Sequence, residues 1–232
     1  MKVTEVGTVD RARPVDHRSR RLVLGSALAL SLAVGLTVSW EEASARDVAL
    51  EQSASLARRT ARVSDDIDRF VARLERTEQA LWALSQAHGK TLSQSYQSFT
   101  KQVKGLEGAE KAARSHIHEM EATGVRYASS WDTENAKIVD PALRQASVER
   151  RAAMTKEYEE LAAHLNDIEK EIQPFMGNLR DLRSFLGVDL SPPHVLNASD
   201  AIQKSQADAQ VLKQSIAPVQ ARLRQFLNDA PR

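Results

Sequence analysis

The sequence predicts an all-α protein: an N-terminal signal or anchor helix followed by long antiparallel coiled-coil helices that form an elongated bundle. Three observations predict it. Aromatic residues make up only 5% of the chain, while Ala, Leu, Glu, Gln, Arg and Ser dominate, the vocabulary of long amphipathic helices. With 9 Gly and 7 Pro in 232 residues, turn formers are too few for a many-turned β protein. From residue 46 onward, apolar residues recur in steps of four and three, the period of a helix with one buried stripe.

The first element is a lead over residues 1–21 that ends in Arg18, Arg20 and Arg21. Residues 22–38, LVLGSALALSLAVGLTV, then give 17 uncharged positions. Trp40, Glu41 and Glu42 follow them. Basic before and acidic after predicts a cytoplasmic N-terminus and an exported body. Two readings of 22–40 stay open. In one, the segment is a retained transmembrane anchor with Trp40 at the interface, a run near the lower limit for spanning a bilayer. In the other, it is an export signal cut after Ala43-Ser44-Ala45, a small-residue site preceding Arg46. The pair Arg20-Arg21 also fits a twin-arginine signal as well as an ordinary one.

The body spans residues 41–228. Its first helix is expected over 46–88 with the seam Leu56, Thr60, Val63, Ile67, Phe70, Leu74, Thr77, Leu81 and Leu84, and Gly89 as its C-cap. The second is expected over 91–138, through Leu92, Tyr96, Phe99, Val103, Leu106, Ala113, Ile117, Met120, Gly124, Tyr127 and Trp131, as one long helix softened at Gly105 and Gly108. Asp140-Pro141 starts the third, over 141–186, because aspartate caps free amides and proline suits the first helical position. Its seam runs Met154, Tyr158, Leu161, Leu165, Ile168, Ile172, Phe175, Leu179, Leu182 and Leu186, with Pro174 expected to kink it. After Pro192-Pro193, Asn197 is expected to cap a fourth helix over 198–228, with the seam Ile202, Ser205, Ala209, Leu212, Ile216, Val219, Leu223 and Phe226 and a kink at Pro218. Each helix carries a single apolar stripe and must pair, and tight connections favour up-down packing within one chain.

Composition narrows the function. Residues 1–45 hold six basic and five acidic residues, which leaves the body from Arg46 with 26 of each. A neutral body lacks the basic surplus that phosphate binding needs, so no nucleic-acid partner is expected. The chain has no cysteine, which removes disulfides, thiol catalysis, thiolate metal sites and attachment of lipid to a cysteine. Phosphate loops, dinucleotide glycine fingerprints, nucleophile elbows and His-Glu-x-x-His are all missing from the sequence. His116 and His118 stand two apart, about 200° around a helix, and so cannot share one ion there. Asp65, Asp66 and Asp68, with Glu157, Glu159 and Glu160, read as solvated faces paired to neighbouring Arg and Lys. Arg144, Arg150 and Arg151 read as a charged helix face. Trp131 falls on the seam; Trp82 falls one step off it, either against another helix or exposed as a contact point. No catalytic residue, cofactor or metal is expected, and the chain is not expected to be an enzyme.

Most of the body resembles a bacterial family known as domain of unknown function 2959. The resemblance rests on Trp131 with Glu134, on Asp140-Pro141-Ala142-Leu143-Arg144, Ser147 and Arg150, and on Tyr158, Ile172, Pro174, Phe175 and Leu179-Arg180-Asp181-Leu182 up to Leu186. It covers residues 46–228. It implies an envelope protein with an N-terminal signal and a long coiled-coil body, and supplies no activity. Two features depart from it: the lipid-carrying cysteine of many relatives is missing, and Ser184-Phe185-Leu186-Gly187 stands where many carry a Leu-Lys-His-Asn-type stretch. The expected role is a structural, scaffold or adaptor protein of the bacterial envelope, anchored in the inner membrane with its body in the periplasm, or periplasmic after cleavage. Envelope proteins, a second copy of the chain, and the membrane through the N-terminal segment are its expected partners. The alternative is a module that binds lipid or peptidoglycan. Buried seams with polar outer faces favour the scaffold, and an exposed apolar stripe favours the binder.

Overall fold

The computed structural model of the chain describes residues 40–229, with side chains over 51–228; of the lead at 1–21 and the signal or anchor expected at 22–40, all but Trp40 lies outside the described residues. The described residues form five helices and no strand: α1 (Trp40–Ser85), α2 (Lys90–Asn135), α3 (Pro141–Val188), α4 (Pro192–Asn197) and α5 (Ser199–Asp229). None of them is long and apolar enough to cross a membrane.

Four long helices pack as a ring. α1 lies against α2 and α5, and α3 lies against the same two. Paired side chains show that every neighbour runs antiparallel. Gln52 meets Ser130, Arg59 meets Glu119 and Asp66 meets His116 between α1 and α2. Between α2 and α3, Glu107 takes Arg180 and Arg183, and Glu121 takes Asn166. Glu78 takes Lys213 and Asp68 takes Arg224 across α1 and α5, while Glu160 takes Arg222 and Asp208 takes Asn178 across α3 and α5. Residue numbers rise on one helix as they fall on the next. Such an up-down-up-down order follows from short connections, which can only return the chain beside itself.

The seams meet at the centre of the ring. All the seam positions named above on α1 and all eight on α5 are buried, as are those of α3 from Leu161 to Leu186. Thr60, Thr77 and Ser205 are buried among them, and each donates its hydroxyl to the carbonyl four residues back, at 3.0, 2.9 and 2.8 Å. A bound hydroxyl carries little of the desolvation cost that would otherwise bar it from the core. Met154 and Tyr158, expected in an unbroken seam, are only half-buried. The reason is length: α5 has 31 residues against 48 in α3, and its Phe226 ring reaches Tyr158, 6.2 Å between centroids. Past that level α3 has one neighbour fewer among the described residues.

Several helix ends differ from the expectation: α1 starts at Trp40 rather than 46, and α2 ends at Asn135 rather than 138. α1 stops at Ser85, and Gly89, at φ +55°, precedes the first residue of α2 instead of capping α1. Thr91 ties that turn, accepting from the His88 amide at 3.1 Å and donating to the His88 carbonyl at 2.9 Å. Asn197 is the last residue of the short α4; the carbonyl that opens α5 belongs to Ala198, which accepts from Ile202 at 2.9 Å. Pro192 and Pro193 start α4 because the first turn of a helix needs no amide hydrogen. Asp140 does cap α3, accepting from the amides of Ala142 and Leu143 at 2.8 and 2.9 Å. α2 runs through Gly105 and Gly108, and α3 and α5 run through Pro174 and Pro218.

Gly124 has a packing role. A methyl on Gly124 would fall on the ring of Tyr158, whose hydroxyl donates to the Met120 carbonyl at 2.6 Å. Burial, with help from the Glu121 charge, pushes that hydroxyl well above its ordinary range. Gly108 has open space around it. Gly108→Ala should therefore raise stability by about 0.5–1 kcal/mol through helix propensity. Gly124→Ala should lower it by about 1–2 kcal/mol, because the clash exceeds the same gain. Urea unfolding of the two variants checks the pair: equal shifts of the same sign would show that the glycine at 124 is not there for Tyr158.

Candidate functional site

The residues weighed as sites in the sequence lie apart from one another. His116 Nδ1 meets the carboxylate of Asp66, whereas His118 Nδ1 stands 3.4 Å from Glu121 on its own helix. Among the described residues, no group of His, Asp and Glu is placed to hold a metal ion. The reading of Asp65, Asp66 and Asp68 as one solvated face fails at its middle member. Asp65 and Asp68 are exposed, but Asp66 is 2% exposed, gripped by Arg69 at 2.7 Å as well as by His116. Asp66 falls beside the seam residue Ile67 and faces α2. Glu157, Glu159 and Glu160 are exposed. Arg144 donates to the Ile138 carbonyl through Nε at 2.7 Å, and Arg151 pairs with Asp132 at 2.5 Å. Trp131 is half-buried and donates to Ser147 at 3.0 Å, which in turn donates to the buried Asn135. That relay locks α2 to α3 at their connection and accounts structurally for two of the residues that carry the family resemblance.

Trp82 is the side chain left open by the sequence, and the structure exposes it at 63%. It forms one wall of a cavity of about 790 Å³ at the end of the ring where the α1–α2 turn meets the α3–α5 connection. Ala87, Leu92 and Ile202 floor the cavity, Pro192, Pro193, Val195 and Leu196 form the opposite wall, and Gln86, Gln203 and Gln206 supply neutral polar groups. Leu196 is itself 71% exposed. No Lys, Arg, Asp or Glu lines the space.

Local chemistry fixes the walls. Ser191 donates to Asp189 through its amide at 2.8 Å and its hydroxyl at 2.6 Å, and these bonds hold the Asp189 carboxyl below its ordinary range. His194 stacks on Phe185, 3.9 Å between centroids and 13° between planes, and its Nε2 donates to the Phe185 carbonyl at 2.9 Å. The six-residue α4 is thereby pinned to the end of α3. On the far side of Trp82 a second concavity, about 650 Å³, is lined by Glu75, Glu78, Gln79, Gln210 and Lys213, with Lys213 and Glu78 paired at 2.7 Å.

A concave, mostly apolar space with a few neutral polar groups is what an uncharged apolar moiety needs in order to leave water. A rim tryptophan adds a large flat contact of the kind enriched at binding hot spots. Sequence reasoning missed this site because Trp82 and Pro192–Leu196 are brought together over more than 100 residues. The one available signal was a large aromatic placed off its seam.

Neither a curated protein nor a solved structure matches the chain. The family described as protein of unknown function DUF2959 matches residues 46–232, nearly the whole helical body. The chain therefore belongs to the DUF2959 family.

Proposed function

We propose that the protein is a non-enzymatic scaffold or adaptor of the bacterial envelope, held at the inner membrane by the apolar run at residues 22–38 and built as an antiparallel coiled-coil body. The observation that carries the reading is the use of the seams. They are buried within the ring over most of their length, and the outer faces are ion-paired and polar. A long exposed apolar stripe, the mark of a lipid binder, does not run along the described helices; the larger exposed apolar residues stand at their ends and as scattered single positions. The heptad spacing, the antiparallel neighbours and the inter-helix ion pairs support the coiled-coil description. Export rests on the basic-apolar-acidic order of residues 18–42.

Within this reading the Trp82 cavity is the adaptor's contact point, and it takes an uncharged apolar group of a partner. Proximity labelling from the native envelope, with the labelling enzyme fused to the C-terminus, tests it. Trp82→Ala with Leu196→Ser removes the two most exposed walls. Loss of a hot-spot aromatic costs about 2 kcal/mol or more, so labelling of the true neighbours should fall on the order of tenfold while the helical signal holds. An unchanged set of neighbours overturns the assignment of the cavity.

A further inference from the structure

We infer that the occupant of the Trp82 cavity is the end of a partner's amphipathic helix, laid along the groove between α1 and α5, with an apolar residue in the cavity and a Lys or Arg beside Glu75. The inference rests on the cavity's being the adaptor's contact point. The groove follows from spacing. Glu75, Gln79, Trp82 and Gln86 step by four, three and four along α1. Gln203, Gln206 and Gln210 step by three and four along α5. Such steps put each set on one side of its helix. The two sets line the two adjoining concavities, and Trp82 and Gln206 belong to both. Elsewhere ion pairs tie the outer edges of neighbouring helices: Arg59 with Glu119, Glu107 with Arg180 and Glu160 with Arg222. Between α1 and α5 the last such tie is Glu78 with Lys213; from there to Gly89 no ion pair crosses among the described residues.

Backbone chemistry and charge say what fits there. Both walls are helices, whose backbone amides and carbonyls are used within them. The groove therefore offers no main-chain partner to an extended peptide, whereas a helix satisfies its own. An amphipathic helix laid in a groove is held by apolar anchors along one face. Charge then sets its direction. No Lys, Arg, Asp or Glu lines the cavity, while Glu75, exposed and without a partner among the described residues, stands in the second concavity. Glu78 beside it already holds Lys213. Glu75 and Trp82 are seven residues apart, two turns, or about 10 Å. The matching helix carries its basic residue about seven positions from its apolar anchor, so that opposite charges meet.

The photo-crosslinker benzoylphenylalanine, placed at Gln79 or at Gln86 of the full chain in its native envelope, tests this. Both positions are exposed, and Lys101, exposed on α2, is the control position. Mass spectrometry maps the residues linked on irradiation. Links from 79 and 86 should fall on one protein that is not linked from 101. The two linked residues should stand about seven apart, with a Lys or Arg within a turn of the one linked from 79. A spacing of about three, which an extended chain needs for the same distance, overturns the helix. Links to a second copy, or to a protein from 86 alone, leave the cavity in use and overturn the inference. Links to lipid, or to nothing at either position, overturn the cavity reading as well. Glu75→Lys should lower the yield at 79 on the order of threefold, as reversal of one exposed pair across an interface does. Glu171→Lys, at an exposed position of α3, should leave it unchanged. Equal yields in the two variants overturn the pairing with Glu75, and the proposal with it.

Discussion

Leu165→Asp is expected to unfold the body at ordinary temperature or lower its melting point by well over 10 °C. Leu165 is 1% exposed, on the α3 stripe that faces the centre of the ring. Truncating a buried leucine costs roughly 2–5 kcal/mol, and a carboxylate put in its place must either lose its water or take up a proton, which adds to that loss. A domain has only about 5–15 kcal/mol in all, and each kcal/mol moves the melting point by about 2–4 °C at this size. Leu143→Asp is the matched control: same chemistry on the same helix, at a position 65% exposed. Its melting point should stay within about 2 °C of the parent, as for other surface changes. Thermal melts followed by circular dichroism decide it. Equal, small shifts for both variants would mean that the α3 stripe is not the core.

The second large effect is expected at Asp66 and His116. The Asp66 carboxylate is 2% exposed and has two cationic or hydrogen-bonding partners, Arg69 from its own helix at 2.7 Å and His116 from α2. Arg69 is mostly solvated, with 64% of its side chain exposed. Removing the imidazole by His116→Leu leaves a buried oxygen short of a donor, at a cost of about 1–3 kcal/mol. Removing both groups, Asp66→Leu with His116→Leu, leaves no buried polar atom short of a partner, and replacing both members of a buried hydrogen-bonded pair by apolar groups can be nearly neutral. The double variant should therefore be more stable than the single His116→Leu. Urea unfolding of the full cycle measures this, and single losses that simply add would show that the two groups do not act on each other. His118, 58% exposed and near only Glu121 of its own helix, is the control: His118→Ala should change stability by less than about 0.5 kcal/mol. The sequence reading treats the two histidines alike, as a pair that cannot share an ion; the structure gives only one of them a buried partner.

That separation shows where sequence reading reached its limit. Periodicity fixes which residues of a helix share a stripe, because the helix repeats every 3.6 residues whatever its neighbours are. Hence Val63, Phe70, Leu165 and Leu223 were identifiable as core, and Asp140-Pro141 as a start, from local rules alone. Position beside a stripe is not fixed locally. Asp66 and Trp82 both stand next to seam residues, yet one is buried against α2 and the other projects beside a cavity. Which occurs depends on where the neighbouring helix lies and how far it extends.

Residue type and spacing along one chain suffice for the all-helical class, for most of the buried stripes and for the lack of thiols. Only the packing of the helices decides the ring order, the half-burial of Tyr158 against the last turn of α5, the Asp66–His116 pair, and the meeting of Trp82 with Pro192 and Leu196. These depend on register between antiparallel helices, and register is set by the summed packing of two whole surfaces, which no short run of residues contains.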